Sequence, residues 1–335
     1  MQSRIIVIAE AGVNHNGDPK LAKQLVTEAS RAGADVVKFQ TFNSSLCIAV
    51  NAPKASYQFQ STGNAESQLE MVRKYELDAS DHMLLKEACK EERVEFLSTA
   101  FDLPSVNLLS SMGIKRWKVP SGEITNFPYL RKIGFLKQPV ILSTGMANLG
   151  EIEAAIDVLE QAGTSRDQIT VLHCTTEYPA PLDEVNLRAM QTIGQAFGVA
   201  VGYSDHTDGI AVPIAAVAMG ATVIEKHLTL DRTMEGPDHR ASLEPDQFAA
   251  MVQGIRAIER ALGDGIKRPT ASERANLPIV RKSIVAAREI QAGEPFSAEN
   301  ITAKRPGTGI SPMHWDELIG RPSPRAFAPD ELIEL

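Results

Sequence analysis

Val199-Ala200-Val201-Gly202-Tyr203-Ser204-Asp205-His206 and Ala221-Thr222-Val223-Ile224-Glu225-Lys226-His227 are two apolar runs, each closed by an acid and a histidine. The apolar part of each has the composition of a strand buried on both faces. The two histidines are 21 residues apart in the chain, room for one strand–helix–strand repeat. Parallel neighbouring strands at that spacing bring both imidazoles to the same end of one sheet. Paired histidines with carboxylates beside them at adjacent strand ends predict a metal site.

Working outward from these runs, the same texture recurs. Candidate strands cover residues 4–10, 34–40, 94–99, 116–119, 139–143, 169–174, 199–204 and 221–227, and amphipathic stretches at 19–32, 79–91, 149–161 and 210–219 fall between them. Near-continuous Val, Ile and Leu in the strands indicate a parallel sheet covered on both faces. Eight strand–helix units up to about residue 265, closed by a helix over 246–262, predict a (β/α)8 TIM barrel. A doubly wound open sheet has no support, since no GxGxxG follows the first strand. Beyond Gly263-Asp264-Gly265 the pattern loosens. Pro295, Pro306, Pro312, Pro322, Pro324 and Pro329 punctuate short apolar runs, which reads as a small β-rich module with little core of its own. The expected organisation is a catalytic domain over 1–265, an extended linker over 266–280 and a small domain over 281–335. The segment 41–79 is too long for an ordinary βα loop and is expected to act as a lid.

Bulk properties narrow the function. The 335 residues are 43% hydrophobic and 23% charged, with a net charge of −8. The charge is spread without blocks, so neither nucleic acid nor an anionic membrane is expected as a partner. No apolar run is long enough for a membrane span and no secretory leader is legible, so a cytoplasmic protein is expected. The three cysteines, Cys47, Cys89 and Cys174, show no CxxC spacing, which excludes a cysteine-rich zinc module. Cys174 reads as a packing residue.

Barrel active sites form at the C-terminal ends of the strands. Those ends carry Glu10; Lys38 and Gln40; Ser98-Thr99; Lys118 followed by Ser121-Gly122-Glu123; Ser143-Thr144-Gly145; His173-Cys174-Thr175-Thr176-Glu177-Tyr178; and the two histidine runs. Two lysines with several hydroxyls offer donors to a phosphate or carboxylate. Two histidines with oxygen donors suit an octahedral-tolerant ion such as Mn2+ better than a closed zinc site. Glu10 and Glu123 are candidate acid/base or hydroxyl-orienting groups. This rim predicts a metal-assisted reaction between an anion and a carbonyl compound.

Longer motifs carry a resemblance. Ile8-Ala9-Glu10-Ala11-Gly12-Val13-Asn14-His15-Asn16-Gly17, Val37-Lys38-Phe39-Gln40-Thr41, Pro120-Ser121-Gly122-Glu123, Leu142-Ser143-Thr144-Gly145-Met146, His173-Cys174-Thr175, Ser204-Asp205-His206 and Gly236-Pro237-Asp238 resemble the bacterial N-acetylneuraminate (sialic acid) synthase family. Lys304-Arg305-Pro306-Gly307 and Gly309-Ile310 resemble that family's C-terminal antifreeze-like (SAF) domain. The resemblance spans essentially the whole chain. It implies condensation of phosphoenolpyruvate with the open-chain aldehyde of N-acetylmannosamine, giving N-acetylneuraminate and phosphate. It further implies that His206 and His227 hold Mn2+, or another divalent ion such as Mg2+ or Co2+. Lys38, Lys118, Ser121, Ser143, Thr176 and Ser204 would bind phosphoenolpyruvate. Gln40, Thr99, Glu123, Tyr178, Asp238 and Arg305 would bind the sugar. Glu10 would orient water or take its proton, and Glu225 would tune the histidines. The family's habit implies a homodimer with exchanged C-terminal domains, Arg305 reaching the partner's barrel.

One position departs from part of the family. Thr176 stands where some members have Asn, near both substrates. This opens an alternative, an N,N'-diacetyllegionaminate synthase acting on 2,4-diacetamido-2,4,6-trideoxymannose. More remote alternatives are a metal-dependent pyruvate aldolase or lyase and a non-catalytic sugar-binding protein.

Overall fold

A computed structural model describes residues 4–55 and 66–335, so part of the segment 41–79 lies outside the described residues. The chain forms two compact units, 1–263 and 264–335.

In the first unit eight strands alternate with helices. They are β1 (Ile6–Gly12), β2 (Val36–Thr41), β3 (Glu95–Ala100), β4 (Trp117–Val119), β5 (Val140–Ser143), β6 (Ile169–Cys174), β7 (Ala200–Asp205) and β8 (Val223–His227). All hydrogen-bonded neighbours run parallel, in the order β3-β2-β1-β8-β7-β6-β5-β4. That order is a ring read from a break between β3 and β4, which pack side by side, and it is the expected TIM-like barrel. The helices cover the outside: α1 (Pro19–Arg31), α2 (Ala79–Glu91), α3 (Leu103–Ser111), α4 (Phe127–Gly134), α5 (Leu149–Ala162), α6 (Arg188–Phe197), α7 (Ala211–Ala218) and α8 (Pro245–Ala261).

Local chemistry starts most of these helices. Asp18, Asp78, Asp102, Asn126 and Asn148 each accept a backbone N–H of the first turn, and proline opens α1, α3, α4 and α8. A side-chain cap and a donor-free proline both answer the orphan N–H groups of a helix start.

Two apolar layers hold the barrel. The larger lies between strands and helices and includes Val7, Val37, Trp117, Tyr129, Ile156 and Phe248. A smaller one, Ile8, Val36, Leu97, Ile141, Leu172 and Val223, fills the interior. Gly202 belongs to this crowded interior level, where a Cβ would sit 2.4 Å from the Val223 carbonyl and 2.6 Å from Leu172. Because strand side chains alternate, the next inward level is Glu10, Lys38, Thr99, Lys118, Ser143, Cys174, Ser204 and Glu225. The strand period therefore stacks a charged floor directly on the apolar plug.

The second unit pairs β9 (Ser283–Ala286) with β10 (Ile301–Lys304) antiparallel. Ile284, Ile290, Phe296, Ile301, Leu318, Phe327 and Ile333 form its core. The unit thus has a core of its own, contrary to the expectation from its scattered apolar residues. The segment expected as an extended linker carries two single-turn helices, Ala271–Arg274 and Leu277–Val280. Among the described residues no helix is long and apolar enough to cross a membrane.

Candidate active site

The register of β7 on β8 pairs Ser204 with Glu225 and Asp205 with Lys226. His206 and His227 therefore follow in step at the same end of the barrel, their ring centroids 5.5 Å apart. Tyr178 closes the group, 4.2 Å from the His206 ring and 5.7 Å from that of His227. Together with the charged floor they line a cavity of about 530 Å3.

The floor is a buried lattice of opposite charges. Lys38 Nζ lies 2.7 Å from Glu10 and 3.7 Å from Glu225, and donates to Thr99 Oγ1 at 3.2 Å. Lys118 Nζ lies 3.3 Å from Glu225 and donates to Ser143 Oγ at 2.8 Å. Ser204 Oγ donates to Glu225, and Gln40 donates to Glu10. Burial alone would raise Glu225, but Lys118 and Lys38 outweigh it and hold this carboxyl at about 2. Burial and the charge of Glu225 push Glu10 above the ordinary carboxylate range against the pull of Lys38. Glu225 is thus the fixed anion and Glu10 the carboxylate able to take a proton. Burial opposes the charge of Lys38, yet Glu10 and Glu225 hold it above its usual value. Burial pulls Lys118 down. Asp238, buried and near Glu10, is pushed up to about 7.

The two histidines fit a divalent ion. Burial holds both imidazoles neutral, and His206 and Lys38 add to the effect at His227; neutral imidazole is the ligating form. His206 Nδ1 bonds the Thr175 carbonyl, which fixes the tautomer and leaves Nε2 with its lone pair free. Among the described residues His227 Nδ1 is buried with no hydrogen-bond partner, and Asp238 lies 3.8 Å from it. Among the described residues no set of three or more His, Cys, Asp and Glu could hold an ion alone, so water and substrate would complete the shell.

Every expected site residue except Glu123 and Arg305 lines the cavity. Glu123 lies on a 3-10 turn, Ser121–Glu123, and accepts from Asn126. Arg305 belongs to the second unit, where its Nε donates to the Val280 carbonyl at 3.0 Å. Strand alternation divides the rim more finely than its sequence suggested. Ser98 faces away and bonds Thr41, which also bonds His82. His173 faces away too, against the Val185 carbonyl and the Tyr203 ring. Cys174, expected to be a packing residue, is buried and lines the cavity, 3.4 Å from Ser121 Oγ. Gly145 is required where it stands, because a Cβ would meet Thr176 at 2.4 Å and Ser121 Oγ at 2.8 Å.

The sequence reading missed one wall. Val13, Phe42, Ala55, Gln68, Met71, Val72, Tyr75 and Phe101 also line the cavity. The sequence signal for it was the length of segment 41–79, whose described part contributes Phe42, Ala55, Gln68, Met71, Val72 and Tyr75.

Known proteins resemble the chain along its length. A chain named N,N'-diacetyllegionaminic acid synthase from Campylobacter jejuni is 56% identical over 330 residues, 98% of this chain and 99% of the relative. One of the same name from Legionella pneumophila is 47% identical, covering 94% of this chain and 89% of the relative. The crystal structure of N-acetylneuraminic acid (sialic acid) synthetase from Leptospira borgpetersenii, a citrate complex, superposes with a TM-score of 0.72 at 35% identity, covering 82% of this chain and 90% of that one. The sequence profile of a SAF domain matches residues 281–334. That of the NeuB family matches residues 25–267, and with relatives of this identity and coverage the chain belongs to the NeuB family.

Proposed function

We propose that the chain is an N,N'-diacetyllegionaminate synthase, a transferase that condenses phosphoenolpyruvate with the open-chain aldehyde of 2,4-diacetamido-2,4,6-trideoxymannose and releases phosphate. What carries the choice of sugar is identity: the relatives at 56% and 47% bear that name, while the sialic acid synthetase stands at 35%. For this reason the diacetamido sugar is preferred to N-acetylmannosamine.

In the proposed reaction C3 of phosphoenolpyruvate bonds to the aldehyde carbon and the aldehyde oxygen takes a proton. Water adds at C2, loses a proton, and the C–O bond to phosphate breaks to leave a ketone. A divalent ion on His206 and His227, Mn2+ or alternatively Mg2+ or Co2+, would polarise the aldehyde oxygen. The remaining work belongs to the chain. Lys38 and Lys118, with Ser121, Ser143, Thr176 and Ser204, would neutralise and orient the phosphate and carboxylate. Glu225 would keep both lysines in place. Glu10 would accept the proton of the attacking water, the role that its raised proton affinity supports. Gln40, Thr99, Tyr178 and Asp238 would hold the sugar, with Glu123 steadying the rim. Arg305 would act from the second unit of a partner chain in an exchanged homodimer.

The test is a product assay by mass spectrometry with phosphoenolpyruvate, Mn2+ and a panel of mannosamine derivatives. The expected result is a diacetamido nonulosonate with one phosphate per turnover. Faster conversion of N-acetylmannosamine would overturn the choice of sugar, and product without phosphate release would point to a lyase.

A further inference from the structure

The loop that leaves β8 after His227 comes back to it, where Leu243 N–H donates to the His227 carbonyl at 2.9 Å. Asp238 lies on this loop, lines the cavity and holds its carboxyl 3.8 Å from His227 Nδ1. Among the described residues no hydrogen bond holds that carboxyl, so its place is set by the backbone that carries it. Asn14, buried in the loop after β1 and outside the cavity lining, ties this backbone down. Its Nδ2 donates to the Leu228 carbonyl and to Ser242 Oγ, each at 2.9 Å. Ser242 Oγ, having accepted, donates its one hydrogen to the Asp238 carbonyl at 2.7 Å. A carbonyl only accepts, so the Asn14 amide cannot turn over without facing oxygen with oxygen. Among the described residues its Oδ1 is buried without a partner, so the side chain is held by its donors alone. A second tie runs from Asn16, whose Nδ2 donates to the Glu235 carbonyl at 3.0 Å and whose Oδ1 lies 3.1 Å from His239 Nε2. Gly236 permits that approach, since a Cβ there would sit 2.6 Å from the His239 ring and 3.0 Å from Asn16 Oδ1. Asp238 is thus gripped from both sides by the loop after β1.

We propose that Asn14 is a positioning residue: through Ser242 it sets the place of the Asp238 carboxyl opposite His227, and with it the grip on the sugar beside the two histidines. The proposal rests on the reading of Asp238 as a group that holds the sugar. Asn14 touches no substrate in this scheme. Its two donated hydrogens join the peptide that follows His227 to the turn that carries Asp238, so the two cavity residues keep one spacing. A side chain anchored in this way holds a binding group within the narrow range that productive geometry allows.

The experiment cuts the relay with Asn14→Ala and Ser242→Ala and removes its end with Asp238→Ala, all in the full chain. Crystal structures of the first two are read for the separation between the Asp238 carboxyl and His227 Nδ1, which is expected to grow by about 1 Å or more. Rates of phosphate release are then measured with whichever mannosamine derivative the enzyme turns over. In Asn14→Ala kcat/KM for the sugar is expected to fall about tenfold to a hundredfold, with KM for phosphoenolpyruvate within about twofold of wild type. Added to Asp238→Ala, Asn14→Ala should cost less than about threefold more, because the two act as one unit. An Asp238 carboxyl that stays within about 0.5 Å of its wild-type place overturns the proposal, as does an equal loss toward phosphoenolpyruvate. Where Asp238→Ala is itself impaired, losses that multiply in the double variant overturn it too. Should Asn14→Ala not fold, Ser242→Ala decides the matter, since it leaves the bond from Asn14 to Leu228 in place. Wild-type kcat/KM for the sugar in Asp238→Ala would instead overturn the role given to Asp238, and the crystal structures then decide the placement alone.

Discussion

Lys226→Met should destabilise the barrel by about 4 kcal/mol, although Lys226 does not line the active-site cavity. Lys226 and Asp205 point away from the site between His206 and His227, both fully buried, with Nζ 2.5 Å from Asp205 Oδ2 and also bonded to the Thr207 carbonyl. Removing one member of a buried ion pair costs about 3–5 kcal/mol, because the other charge stays buried. Asp205 would retain Thr207 N–H at 3.2 Å and Thr207 Oγ1 at 2.9 Å, which places the loss at the lower end of that range. The orphaned Thr207 carbonyl adds about 1 kcal/mol. Asp205→Asn keeps an acceptor for Thr207 without the charge, so Asp205→Asn combined with Lys226→Met should recover about 2 kcal/mol. The assay is urea unfolding of wild type, both single variants and the double variant, followed by circular dichroism, with kcat measured alongside. Turnover should fall in Lys226→Met and return in part in the double variant, since the pair clamps the two strands whose next residues are the histidines. A loss under 1 kcal/mol, or a double variant no more stable than Lys226→Met, would refute the reasoning.

Other outcomes follow from the same geometry. His206→Ala and His227→Ala should each abolish Mn2+ binding by calorimetry and turnover, with the melting temperature nearly kept; near wild-type rates in EDTA would remove the metal from the mechanism. Lys38→Met and Lys118→Met should weaken phosphoenolpyruvate about tenfold to a hundredfold, a charge-assisted bond contributing about 1.5–3 kcal/mol; a fall in sugar affinity instead would reverse the assignment. His15 is buried and held neutral, its pKa lowered to about 4 by burial and by His82. Above pH 6.5 neither folded nor unfolded chain carries this proton. As pH falls toward 4 only the unfolded chain takes it, so stability drops by about 2–3 kcal/mol between pH 7 and 4.5; urea midpoints of His15→Gln should lack that part of the slope. For Arg305, mixing Arg305→Ala with His206→Ala chains, each inactive alone, should restore activity toward a quarter of wild type. No recovery after subunit exchange is verified by native mass spectrometry would place Arg305 outside the partner's site.

The barrel was legible because burial on both faces of a parallel strand leaves a run that sequence alone displays, as at 221–227 and Val223–His227. The floor was legible for a related reason, since chemistry at the C-terminal strand ends replaces the apolar residues that packing would choose. What the runs did not display was the face. Ser98 and His173 sit one position from Thr99 and Cys174 and so point to the helices. Glu123 turned aside because a 3-10 turn breaks the strand period just after β4. Met71 and Tyr75 line the cavity as a cluster packed with Val13, a contact with no local pattern. The core of the second unit was hidden because Ile290, Phe296, Leu318 and Phe327 come singly, among prolines and turns, and meet only when folded.

The separateness of the small cluster of Val13, Met71 and Tyr75 has an evolutionary meaning. A substitution at Met71 or Val72 disturbs neither the interior plug of Ile8 and Leu172 nor the lattice of Lys38, Lys118, Glu10 and Glu225. A lineage can therefore drift in this part of the cavity lining while the charged lattice beside it is inherited intact. For the protein engineer the same partition marks a graft. Exchanging the insertion between β2 and α2 among barrels of this type should reshape that part of the cavity without rebuilding the lattice of Lys38, Lys118, Glu10 and Glu225.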